Sequence, residues 1–146
     1  MTLVARPPRG AAPGDRPFAL VLTTRGSHGH GVEVRLRIGV LVVARVPGKV
    51  TRRLVIGPLR VRRAGRAGVL ELAIRNAGNV LERLAPGRVV LAVLRHGRVV
   101  ARLRPASREL LPRGRALVSV RFVGARGPAI VRVTLGAFSH LYPVRL

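Results

Sequence analysis

The side chains most able to do chemistry in this 146-residue chain are four histidines, five carboxylates and four serines. His28 and His30 stand two apart in Ser27-His28-Gly29-His30-Gly31, a spacing that would let a strand point both rings the same way. Zinc sites take three or four ligands, and no Cys, Asp or third His lies nearby, so the segment reads as a glycine-rich hairpin loop. His96 precedes Gly97 between two apolar segments and reads as a turn residue. Ser27, Ser107, Ser119 and Ser139 lack the strand–turn–helix context of an activated nucleophile. Glu71 and Glu82 have no acidic neighbour with which to share acid–base work, and Glu33, Glu71 and Glu109 are expected to pair with arginines. Phosphate-loop motifs are absent: Gly10, Gly14, Gly26, Gly29 and Gly31 form no GxGxxG, and there is no GxxxxGK[ST]. The absence of cysteine removes thiolate catalysis, disulfides and Cys-ligated zinc together. The reading is therefore a non-enzyme with no catalytic, cofactor-binding or metal-binding residue and no cofactor. Its ligand-binding residues cannot be assigned from spacing.

The charge is the largest chemical feature. Lys plus Arg total 28 against five acidic residues, a net charge of +23, and Lys49 is the only lysine. Such a charge attracts polyanions non-specifically at long range. Arg35, Arg37, Arg60, Arg62, Arg102, Arg104 and Arg132 alternate with apolar residues, which places them on the wet faces of strands. The densest basic spots are Arg52-Arg53 and Arg62-Arg63.

The elements that must carry these residues are strands. Hydrophobic residues make up 48% of the chain but aromatics only 3%, so a core must be built from Val, Leu, Ile and Ala. Period-two alternation dominates, as in Val32 to Ile38, and helical periodicity is nearly absent. Strands are expected through Val46, on both sides of a turn or bulge at Gly57-Pro58, and at Val69–Ile74, Val89–Leu94, Val99–Leu103, Leu117–Val123 and Ile130–Leu135. Turn residues separate them: Pro47-Gly48, Asn76-Ala77-Gly78-Asn79, Pro86-Gly87, His96-Gly97 and Pro112-Arg113-Gly114. Short strands at this spacing predict an all-β sandwich or barrel. The longest apolar runs, Val40–Ala44 and Val89–Leu94, fall short of the roughly 20 residues of a membrane helix. Met1–Gly10 has no apolar segment of the secretory type.

Three ordered stretches resemble one family. They are Ala11-Ala12-Pro13-Gly14-Asp15 before Phe18 to Leu22, Arg37 to Val40 running into Val46-Pro47-Gly48, and Leu70 to Val80 with its Asn76-Ala77-Gly78-Asn79 turn. Leu110-Leu111-Pro112-Arg113-Gly114-Arg115 adds a turn of the same kind. This order is similar to the WxL-interacting cell-surface proteins of Gram-positive bacteria. The resemblance implies Ig-like β-sandwiches: a partial, peptidoglycan-binding-like one over residues 1–48 that lacks its opening strands, a second over 49–137, and a tail at 138–146. It also implies an extracellular, cell-surface location, with peptidoglycan or an anionic wall polymer and surface proteins as partners. A signal peptide and a membrane helix would flank such modules, so the chain is expected to be a section truncated at both ends.

The function expected on these grounds is a non-enzymatic extracytoplasmic module for wall or surface binding or adhesion. The alternative is a basic, RNA- or ribosome-associated nucleic-acid-binding β-protein, although four aromatic residues make a poor stacking platform. A third reading is a subunit that assembles by strand exchange. A first sandwich without its opening strands would expose an open edge, so residues 1–46 are expected to be less stable than 60–136 and to promote self-association or strand donation from a partner.

Overall fold

The structure, a computed structural model, describes residues 4, 6–24, 35–64, 67–124 and 126–146. Ser27, His28, His30, Glu33 and the start of the alternating run at Val32 lie outside the described residues. The described chain is all-β, about two-thirds strand and without helix. It divides into two compact units, residues 1–50 and 51–146.

The first unit is built on β1 (Gly14–Thr23) and β2 (Arg37–Val46), an antiparallel two-stranded sheet. The register pairs Gly14 with Val46 at one end and Thr23 with Arg37 at the other. Pro13 and Gly14 open β1, and β2 stops before Pro47, which has no N–H to continue a ladder. Gly48 has φ 130° and lies against the Pro13 ring, where a Cβ would collide.

The second unit is sandwich-like. One sheet has the order β3 (Leu54–Ala64), β4 (Ala67–Asn76), β9 (Arg115–Val123). The other has the order β11 (Phe138–Arg145), β10 (Pro128–Leu135), β6 (Val89–Arg95), β7 (Arg98–Leu103). Two short strands, β5 (Glu82–Leu84) and β8 (Arg108–Leu110), pair separately. Leu70, Leu72 and Ile74 of β4 meet Leu91 and Val93 of β6 and Val131 and Val133 of β10 in a core of fully buried side chains. Their period-two spacing puts one face of each central strand inside, and Arg60, Arg62, Arg102, Arg104 and Arg132 are exposed as expected.

The turns follow their residues. His96 and Gly97, at φ 46° and 77°, join β6 to β7 with the two positive angles that a type I′ hairpin requires. Gly57-Pro58 does not separate two strands; it is a bulge inside β3, where the register shifts between Ile56 and Leu59. Pro112 and Arg113 form a turn closed by the Gly114 N–H donating to the Leu111 carbonyl at 2.9 Å.

Residues 138–146, expected as a tail, correct the sequence reading. They form β11, an edge strand that pairs with β10 from Leu135↔Phe138 to Pro128↔Arg145. Gly136, at φ 58°, supplies the positive angle of a two-residue turn that folds the chain back. The Leu146 N–H and carbonyl close the far end against Gly127 at 3.0 and 2.9 Å. β10 is therefore not the last strand.

Candidate binding site

The residues beside Arg52-Arg53 are held by the Asn76–Asn79 turn. Asn76 is fully buried; its side-chain oxygen accepts from the Gly78 N–H at 2.9 Å, the geometry of an Asx turn. Its amide donates to the Val80 and Leu110 carbonyls at 2.7 and 3.1 Å, so one side chain ties the end of β4 to β8. Asn79 accepts from the Thr51 N–H at 2.7 Å, its own N–H donates to the Thr51 carbonyl at 3.0 Å, and the Ala77 N–H donates to the Arg53 carbonyl at 2.7 Å. Gly78 is required here, because a Cβ would run into the Thr51 carbonyl oxygen. The turn thus fixes the backbone of 51–53 as it enters β3.

Glu82 then fixes the Arg52 side chain. Its carboxylate is 1% exposed and pairs with Arg52 at 3.0 Å and Arg88 at 2.9 Å. Two cations on one anion leave a net positive charge at this corner, to which Arg53 adds.

Across from them lies β11. Phe138, His140 and Tyr142 alternate at period two and share one face of the strand. The Tyr142 hydroxyl donates to the Gly57 carbonyl at 2.6 Å, joining the β11 edge of one sheet to the bulge in the other. Burial pushes the Tyr142 phenol above its ordinary range, which keeps it a neutral donor. His140 stacks obliquely on Tyr142 with ring centroids 4.6 Å apart. Phe138 is 73% exposed.

Between β3 and β11 these residues line a groove of about 730 Å³ together with Arg52, Arg53 and the Gly57-Pro58 bulge, to which the Tyr142 hydroxyl reaches across. Guanidinium groups supply bidentate donors for carboxylate or phosphate. Exposed rings supply flat apolar surfaces. The combination suits an extended anionic ligand with apolar faces. Ser139 and His140 are sequence neighbours in a strand, so their side chains point to opposite faces and do not pair as nucleophile and base.

Sequence reasoning singled out Arg52-Arg53, and they lie at this groove; Arg62, the other basic spot, is tied to Glu71 at 3.2 Å, the pairing expected for that glutamate. The rings of β11 were missed because 138–146 was set aside as a tail, although Phe138, His140 and Tyr142 carried the period-two signal. Glu82 was missed because nothing local marks it as buried. Among the described residues no cluster of three or more His, Asp or Glu could hold a metal ion. No described helix is long and apolar enough to cross a membrane.

A smaller cleft of about 440 Å³ lies in the first unit, lined by Pro7, Pro8, Phe18, Arg16 and Arg45. Arg45 is held there by Asp15 through two hydrogen bonds of 2.6 and 3.0 Å. Compared with known family models, curated proteins and solved structures, the chain matches none of them.

Proposed function

We propose that this chain is a non-enzymatic binding module of the cell surface, a partial Ig-like sandwich followed by a second one, whose β3–β11 groove holds an anionic wall polymer. The observation that carries the reading is the groove itself, which Arg52 and Arg53 line together with Tyr142, His140 and the exposed Phe138. Glu82 pre-orients Arg52, so less side-chain freedom is lost when a ligand arrives. The ordered turn motifs at Pro13-Gly14, Val46-Pro47 and Asn76–Asn79, which carry the resemblance to wall-binding surface proteins, add support. The net charge of +23 strengthens attraction to any polyanion, nucleic acid included.

The test is binding to purified peptidoglycan, a glycerol-phosphate wall polymer, duplex DNA and random single-stranded RNA across a salt series. Wall-polymer binding that persists at physiological salt and drops in Arg53→Ala and Phe138→Ala is expected. A defined RNA bound far more tightly than random RNA, with the groove variants unaffected, would transfer the function to nucleic-acid binding.

A further inference from the structure

The two-stranded sheet of the first unit has an uninterrupted backbone edge. In an antiparallel pair, residues alternate between those that exchange backbone hydrogen bonds with the partner strand and those whose N–H and C=O point outward. The phase is set just beyond the strand ends, where the Thr24 N–H donates to the Leu36 carbonyl at 3.0 Å. The register pairs Leu22 with Ile38 and Leu20 with Val40, so even-numbered residues face each other's backbones and odd-numbered ones face out. On β1 the outward series includes Pro17, which has no N–H, so that edge is interrupted. On β2 it is Arg37, Gly39, Leu41, Val43 and Arg45, five donors and five acceptors in one row.

Two edge strands of the second unit are interrupted by proline, an ordinary device of edge protection. Pro58 breaks the line of β3 at its bulge. The Gly127–Leu146 bonds set the phase of β11, and by the same alternation Pro143, opposite Ile130, faces outward. β7 carries Arg98 and Arg102, whereas β9, with Arg115 and Arg121 flanking its middle, keeps an outward row without proline, as β2 does. The middle of β2 has neither proline nor charge, and its side chains are apolar and open: Ile38 is 59% and Leu41 57% exposed.

We infer that the β2 edge accepts an extended apolar strand from another protein, one that carries an acidic residue where it meets Arg37. Gly39 has no side chain to obstruct an approaching backbone, and nothing lies within 4 Å of where its Cβ would be. A second copy of this chain is a poorer occupant. The two-fold register that uses all five outward residues centres on Leu41 and sets Arg37 opposite Arg45 at both ends, and like charges directly opposite destabilise a sheet. Asp15 offsets much of the charge of its own Arg45, but a second copy brings no acidic residue opposite Arg37. Shifting the register by two residues either drops an end residue or brings in Pro47. Each copy also carries +23. An acidic residue opposite Arg37 meets an opposite charge instead.

The probe is a ten-residue peptide of alternating valine and threonine bounded by glutamates, titrated against the full chain. Controls are the same peptide N-methylated at alternate amides and a version bounded by lysines. The glutamate peptide is expected to bind at least about threefold more tightly than the lysine one, and the N-methylated peptide not to bind. Leu41→Pro removes the central outward N–H without touching a bond to β1 and should weaken binding at least about fivefold, whereas Leu41→Thr should leave it nearly unchanged. Arg37→Glu should reverse the charge preference independently of any effect of proline on the hairpin. Equal binding of N-methylated and unmodified peptides, or no binding of either, overturns the inference. So does concentration-dependent dimerisation of the chain in sedimentation that Leu41→Pro abolishes, since the edge would then belong to a second copy.

Discussion

β1–β2 and the sandwich draw on the same repertoire, Val, Leu, Ile and Ala punctuated by Arg, yet they end in opposite states. In β4, Leu70, Leu72 and Ile74 are at most 1% exposed, while in β2 Ile38, Val40 and Leu41 are 43% exposed or more. The difference is the number of layers. A strand buries its apolar face only if a second sheet covers it, and an isolated two-stranded ribbon has marginal stability in water. β4 has a neighbour on each edge and an opposing sheet, whereas among the described residues β1 and β2 pair with each other alone. Apolar alternation therefore announces a face that wants a partner, not one that has found it.

The sharpest way to break this comparison is a pair of truncations. Leu72→Ala should cost about 3 kcal/mol in denaturant unfolding, because a fully buried side chain leaves a cavity. Leu41→Ala should change it by less than about 0.5 kcal/mol, because the side chain is already open to water. Hydrogen exchange should agree, with strong protection across Val89–Leu103 and weak protection across β1 and β2. Equal costs and equal protection would mean that the hairpin is as cooperative as the sandwich.

Polar anchoring gives the next effect. Asn76→Ala should destabilise the sandwich by about 2 kcal/mol, since it orphans the buried Val80 and Leu110 carbonyls. Asn76→Asp should not rescue it, because a carboxylate accepts but cannot donate to those oxygens. The hairpin's counterpart, Asp15 on Arg45, joins two strands already paired along their length, so Asp15→Asn should cost less in the same measurement.

A smaller effect of opposite sign is expected at Arg113. It holds φ 61° at the third position of its turn, a conformation that costs an L-residue about 1 kcal/mol. Arg113→Gly should raise the sandwich's unfolding free energy by up to that amount and leave exchange in the hairpin unchanged.

The smallest effect is a pH dependence. Burial raises the Tyr142 phenol above its ordinary 10.0. A group raised in the folded state stabilises the fold below its unfolded value, and that contribution is lost as pH climbs past 10.0 through the folded value. Stability should therefore fall above that range in the native chain and less steeply in Tyr142→Phe. Tyr142 is the chain's single tyrosine, so ultraviolet difference absorbance follows its ionisation directly.

Much of the fold was legible in local patterns. His96-Gly97 marked a turn between two strands, Pro47 marked the end of β2, and Asn76–Asn79 marked a turn after β4, because each depends on backbone angles or missing donors that a few neighbouring residues dictate. Alternating arginines marked wet faces for the same reason: side-chain direction in a strand has period two whatever the strand packs against. The short strands β5 and β8 were not legible, since three residues carry no periodicity.

The sequence by itself determined the class of structure, the positions of its turns and the sign of its surface. Only the tertiary structure decided which apolar faces are covered, and that β11 brings Tyr142 to within a hydrogen bond of Gly57, 85 residues away in the chain. It also decided that Glu82, ordinary in sequence, is buried between Arg52 and Arg88. The physical reason is range. Turn angles and strand alternation are set by neighbours along the chain, whereas burial, ion pairing and edge exposure depend on which distant strand lies alongside.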